Sequence, residues 1–211
     1  MVMKKRYLAF IFIISVTCLV SGCDFLSPVK TQPLSSYTIC NWHASAISHA
    51  KKTQSRNTLL VTTPIAAPGY ATRKMVYVTI PFKLKAFANH DWVAPPAQLL
   101  LPLMVSALEK TRYFHAVVTT PYTGLSQFQL NTQLLMLQQE FLKPDSNMHL
   151  MLQATLLNSS TDQVVATRLF DISVPAQENT PYGGVLAANK ASIKMSQALA
   201  MFVVRAIRKQ T

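Results

Sequence analysis

The chain has 211 residues, 50% of them hydrophobic, with 20 Lys and Arg against 8 Asp and Glu for a formal net charge of +12. That length supports one ordinary domain with a real core. Three cysteines, Cys18, Cys23 and Cys40, are too few for a disulfide scaffold. Beyond residue 6 no basic run exceeds two residues, which describes a solvated surface with a basic bias; the secretory address at the N-terminus argues against nucleic acid as a partner.

The first element is an address. Lys4, Lys5 and Arg6 precede an uncharged, Leu/Ile/Phe/Val-rich run over residues 7–20. This run is shorter than the roughly 20 residues needed to span a bilayer, and with the small residues after it residues 1–22 read as a secretory signal peptide. Val20-Ser21-Gly22-Cys23 resembles the lipobox of bacterial lipoproteins. The resemblance implies that Cys23 receives diacylglycerol, that the preceding peptide is removed, and that the new amino terminus is acylated. At about 0.8 kcal/mol per buried methylene, several acyl chains hold such a protein on its membrane. With Cys18 removed and Cys23 lipidated, Cys40 has no partner within the chain and reads as a small apolar strand residue. Loss of Lys4, Lys5 and Arg6 from the 20 basic residues leaves 17 against 8 acidic ones, enough to favour an anionic membrane surface.

Residues 23–36, the lipidated cysteine and the Ser/Pro/Thr/Gln-containing stretch after it, read as a tether. The domain proper is expected over 37–211, opening with a short strand at Tyr37–Trp42. A polar connection follows, then the strands "TLLVTT" (58–63), "MVYVTI" (75–80) and "FKLKAF" (82–87), the last alternating apolar and basic residues. Leu100, Leu103, Met104, Ala107 and Leu108 recur at helical spacing behind Pro95-Pro96, with Pro102 expected to kink the helix or delay its regular part. After "HAVVTT" come three long runs that read as an antiparallel meander. They are Phe128–Phe141, an alternation from Met148 to Leu156, and Val164, Ala166, Phe170, Ile172 and Val174 with Arg168 breaking the apolar face. Gly183–Lys209 reads as a long helix buried along Ala188, Ala191, Met195, Ala198, Leu199, Phe202 and Ala206. The expected fold is a single-domain α/β sandwich, a mixed and largely antiparallel sheet with two principal helices.

Signs of chemistry are sparse. His43, His49, His90, His115 and His149 show no i, i+3 or i, i+4 pairing, so no metal site is expected. There is no nucleophile elbow and no Walker-A loop. Tyr182-Gly183-Gly184 at a helix entry reads as a tight turn before it reads as an anion site. The abundant Met residues fit core spacings better than a binding surface. No enzyme activity and no cofactor beyond the Cys23 lipid are expected.

Several blocks carry a family resemblance: "TLLVTTPIAAPGY" (58–70), the segment 75–118 around Trp92-Val93-Ala94-Pro95-Pro96, "TQLLMLQQEF" (132–141), "ATRLFD" (166–171) and "PYGGVLAANKA" (181–191). In this order they resemble the ABC-type transport auxiliary lipoprotein family, the PqiC-like group. Asp91 departs from the resemblance, since the family often carries a basic residue before the Trp. The resemblance implies a non-catalytic envelope lipoprotein on the periplasmic face. It would work beside a mammalian-cell-entry (Mce) type protein and its ABC permease and ATPase in moving phospholipid or other hydrophobic molecules between membranes. Some such relatives form homo-oligomeric rings. Trp92, Tyr182, Gly183 and Gly184 are the candidate partner-binding positions. Asp24 resembles an inner-membrane retention signal, whereas relatives are often placed at the outer membrane, so both membranes stay open. The alternative reading is an independent lipid- or anion-binding envelope lipoprotein.

Overall fold

The computed structural model describes residues 33–40 and 56–210. The stretch read as a signal peptide, Cys23, Asp24, Trp42 and most of the polar connection that follows it lie outside the described residues. In chain order the elements are β1 (Ser35–Tyr37), β2 (Thr58–Val61), β3 (Ile65–Ala66), a 3-10 turn at Pro68–Tyr70, β4 (Lys74–Val78), β5 (Leu84–Trp92), α1 (Pro96–Lys110), β6 (Ala116–Thr119), β7 (Phe128–Glu140), β8 (Asn147–Asn158), β9 (Gln163–Pro175) and α2 (Pro181–Arg208). This is the expected single-domain α/β arrangement: a curled mixed sheet with two helices against it.

The β7–β8–β9 meander is antiparallel and forms the longest ladders. The parallel pairings are what the strand patterns did not show. On its other edge β7 is lined in turn by β2, β3 and β4, all parallel to it, in the registers Leu59↔Phe128, Ile65↔Gln133 and Tyr77↔Gln139. Pro64 and Pro68, which cannot donate to a ladder, divide this edge into short pieces. β1 pairs in parallel with β5, Tyr37 opposite Trp92, and it starts two residues earlier than expected, inside the stretch read as tether. Its position is set by a partner more than fifty residues away, which no local pattern reports.

Residues alternate between sheet faces, so Leu130, Leu134, Leu150, Leu152, Leu156 and Phe170 line the side that the helices cover. Two register shifts reset the alternation. The one at Leu134/Met136 brings Leu137 and Gln139 to the core side. The one at Leu156/Leu157 leaves Val164 exposed, contrary to expectation, while Val165 packs against the core instead.

Pro102 sits inside a continuous α1 on its exposed side. There the Gln98 carbonyl that loses its intrahelical partner can bond to water, which makes the interruption tolerable. Helix α2 starts at Pro181, with the Thr180 hydroxyl accepting from the Gly183 N–H at 3.0 Å. Its core stripe is broader than expected and rich in small residues: Gly183, Gly184, Ala187, Ala188, Ala191, Ser192 and Ala200 are buried beside Met195, Leu199, Val203 and Ile207. Ala198, Phe202 and Ala206 lie at its partly buried margin.

Candidate functional site

Tyr182, Gly183 and Gly184 open α2, and Tyr37 of β1 connects this turn to β5: its ring lies beside Tyr182 and its backbone opposite Trp92. Three of the four candidate positions are interior. Trp92 is 2% exposed, and its neighbourhood is tied by backbone bonds: its N–H donates to the Arg73 carbonyl (2.7 Å), and the Val93 N–H donates to the Tyr37 carbonyl (2.8 Å). Gly183 and Gly184 are buried because nothing larger fits. A Cβ on Gly183 would meet the Glu178 backbone carbonyl, and one on Gly184 would meet the Gln139 side-chain amide. Gln139 cannot readily give way, since its Nε2 donates to Ser146 Oγ (2.9 Å) and to the Thr180 carbonyl (3.1 Å). All three are buried and pack within the domain.

Tyr182, held at the surface by the packed glycines behind it, is 54% exposed. Its ring lies 6.1 Å from that of Tyr37, which in turn stacks on His90 at 5.9 Å. Tyr37 and Tyr182 line a groove of about 480 Å³ between the β1 segment and α2, together with Cys40, Leu186, Lys190 and Ile193. Asn189 builds its floor: Oδ1 accepts from the Cys40 N–H (2.8 Å), and Nδ2 donates to the carbonyls of Thr38 (3.2 Å) and Val185 (3.0 Å). The groove offers an apolar trough, a tyrosine at its mouth and one ammonium, which suits a peptide segment or another amphipathic ligand. Tyr37 and Asn189 were not singled out from sequence. Asn189 lies at the end of the glycine-containing block, but its partners are about 150 residues away in the chain.

Asp91, the departure from the family pattern, is buried, with the Lys74 ammonium 3.0 and 3.1 Å from its two carboxylate oxygens. It serves an internal pair and lies off the groove.

A second feature occupies the face of the meander away from the helices. His149 stands between two carboxylates, Nδ1 at 3.0 Å from Glu140 and Nε2 at 2.8 Å from Asp171. Glu140 also accepts from Gln138, which accepts from the Tyr70 hydroxyl at 2.6 Å. Burial, reinforced by the negative Glu140, raises the Tyr70 pKa and keeps it a donor. Burial lowers the pKa of His149, but its hydrogen bonds to Glu140 and Asp171 and their charges outweigh this and raise it above 6.5. Both ring nitrogens face acceptors, so the imidazolium is the form that satisfies both. Stability from this row is therefore fully present below about pH 6.5 and is lost as pH rises through the higher folded-state pKa. Thermal melts of the wild type and of His149→Gln, compared from pH 5 to pH 9, are expected to converge toward the alkaline end; a constant gap would contradict the assignment. Among the described residues no cluster of His, Cys, Asp and Glu is arranged to hold a metal ion.

The crystal structure of a Xanthomonas campestris protein shares this fold, with a TM-score of 0.70 and 20% identity over 84% of this chain and 96% of that one. The crystal structure of an uncharacterized protein does so with a TM-score of 0.61 and 16% identity, over 82% of this chain and 99% of that one. No curated protein matches the sequence. The model of one family, described as the ABC-type transport auxiliary lipoprotein component, matches residues 41–200. That span takes in the Trp92 segment, the meander and most of α2, and the chain belongs to this family of ABC-type transport auxiliary lipoproteins.

Proposed function

We propose that the protein is a membrane-anchored periplasmic accessory lipoprotein of an Mce-type ABC transport system that moves phospholipid or other hydrophobic molecules between envelope membranes. The observation that carries this reading is the family match over residues 41–200, which names the transport class; the Mce partner and the lipid cargo extend it. The role is docking, not catalysis: Cys23 holds the domain at a membrane while the Tyr182 groove receives a segment of the transport partner. Self-association into a ring would repeat that contact around a symmetric partner.

Crosslinking of the tagged full-length lipoprotein in its native envelope, followed by mass spectrometry, is expected to recover an Mce protein with its permease. Their absence from the captured set would remove the reading. Tyr182→Ala is expected to cut that recovery several-fold while leaving the melting temperature within about 2 °C, because the side chain is half-exposed and takes no part in the Thr180 cap beside it, so its loss costs little stability.

A specific observation supports the alternative, an independent lipid carrier. A groove of about 410 Å³ runs between α1 and α2, lined by Leu103, Ala107, Ile193, Ala200 and Met201 with Lys110 among its lining residues. It has the apolar body and single cation that an acyl chain with an anionic headgroup requires. Lipid co-purifying with the protein, in the absence of transport partners, would favour it.

A further inference from the structure

The β4–β5 hairpin ends in a turn that the fold itself does not explain. The Lys83 N–H donates to the Ile80 carbonyl at 3.1 Å, which places Pro81 and Phe82 at the corners. Phe82 has φ +66°, a value such turns normally reserve for Gly or Asn because a side chain there is strained. Yet the ring is completely exposed, at 107% of its reference area. The sequence thus places a bulky apolar residue at a position that opposes it, and the domain gains no packing in return.

Its surroundings have the same character. Ile80 is 55% exposed and Leu84 40% exposed. The Phe141 N–H donates to the Val78 carbonyl at 2.8 Å, bringing the β7–β8 loop alongside with Leu142 46% exposed. Lys83 and Lys143 are exposed, and Lys85 lies over the Tyr77 ring at 5.9 Å. Asp145 and Glu178 are the acidic residues on the loops of this end. At the opposite end of β7 Leu125 is 90% exposed, on a loop remote from this hairpin.

We propose that this hairpin tip is a membrane-seating element, with Phe82, Ile80, Leu84 and Leu142 entering the interface of an anionic bilayer and Lys83, Lys85 and Lys143 meeting its headgroups. Apolar side chains that sink while flanking ammonium groups stay at headgroup level are the pattern of interfacial anchors. The course of the chain agrees. β1 runs parallel to β5 with Ser35 opposite His90 and Tyr37 opposite Trp92, so β1 begins on the Leu84 side of its pairing with β5. Leu84 stands opposite Val78 and Asp91 opposite Lys74, four β4 residues or about 13 Å apart along the sheet. Residues 24–33 can span at most about 33 Å, so the bilayer that holds the Cys23 lipid is within reach of the tip. The proposal rests on the anchored-lipoprotein reading for that geometry and is independent of the transport partner.

The test uses the mature lipidated chain, its lipid verified by intact mass, reconstituted into phosphatidylcholine vesicles with and without phosphatidylglycerol. An environment-sensitive nitrobenzoxadiazole label is attached through Phe82→Cys in a Cys40→Ser background, with Leu125→Cys as the control position. The label at 82 is expected to brighten several-fold and shift to the blue with phosphatidylglycerol. It should revert toward its aqueous signal when Lys83→Glu and Lys85→Glu are added, while the label at 125 stays aqueous. An aqueous signal at 82 in anionic vesicles would overturn the proposal. So would a signal that turns apolar only when the transport proteins are reconstituted alongside, which would make the tip a protein contact. Phe82→Gly should leave the melting temperature within about 2 °C of the wild type; a fall of more than about 5 °C would show that Phe82 serves the fold instead.

Discussion

Trp92→Ala is expected to destabilise the domain by about 3–5 kcal/mol, the range for truncating a buried large aromatic. At roughly 2–4 °C per kcal/mol for a domain of this size, the melting temperature falls by about 6–20 °C. The reason lies in what the indole supports. Trp92 ends β5 at 2% exposure, opposite Tyr37 of β1, and the backbone on either side of it bonds to Arg73 and Tyr37. Removing the ring leaves a cavity beneath the three-residue β1, whose Tyr37 lines the groove. Thermal melts followed by circular dichroism check the magnitude. A melting temperature unchanged by the substitution would mean that the indole is not packed there. Envelope crosslinking of this variant would lose partners as well, but through loss of the folded domain, which separates it from Tyr182→Ala.

Gly183→Ala is the second large effect. Its new Cβ would collide with the Glu178 backbone carbonyl, an atom held by the chain leading into the Thr180 cap. Overpacking of this kind costs about 1–3 kcal/mol, and because the neighbour is backbone the upper half of that range is expected, a fall of roughly 5–10 °C. The helix propensity of alanine, about 1 kcal/mol better than glycine at an open helix position, acts in the opposite direction and is overridden. A rise in melting temperature would mean that the first turn of α2 shifts freely, and that the glycines do not hold Tyr182 in place.

The glycine pair shows how far the local pattern carried. Its position at the entry of a long helix was legible because Pro181 and the small residues mark a helix start. Its role was not, because Glu178 and Gln139 are brought against it only by the hairpin and loop that precede α2. The same division runs through the fold. The meander could be read from alternation and turn residues, since antiparallel neighbours are joined directly in sequence. The parallel pairings of β1 with β5, and of β2, β3 and β4 with β7, could not, because parallel partners are joined by long connections that carry no local signal. Val164 was misplaced for a related reason: a bulge shifts the period-2 face by one residue, and the amino-acid pattern on either side of it is equally apolar.

By itself the sequence determined the family blocks, the two helices and the long strands, because each is written in contiguous residues with their own period or motif. Only the tertiary structure decided that Trp92, Gly183 and Gly184 are buried while Tyr182 is half-exposed. It alone placed Tyr37 and Asn189 beside Tyr182 in one groove, enclosed His149 between Glu140 and Asp171, and left Phe82 strained and bare at the hairpin tip. Burial, and the company a side chain keeps across fifty or a hundred residues, are properties of the folded chain, and they separate residues that build a surface from those that use it.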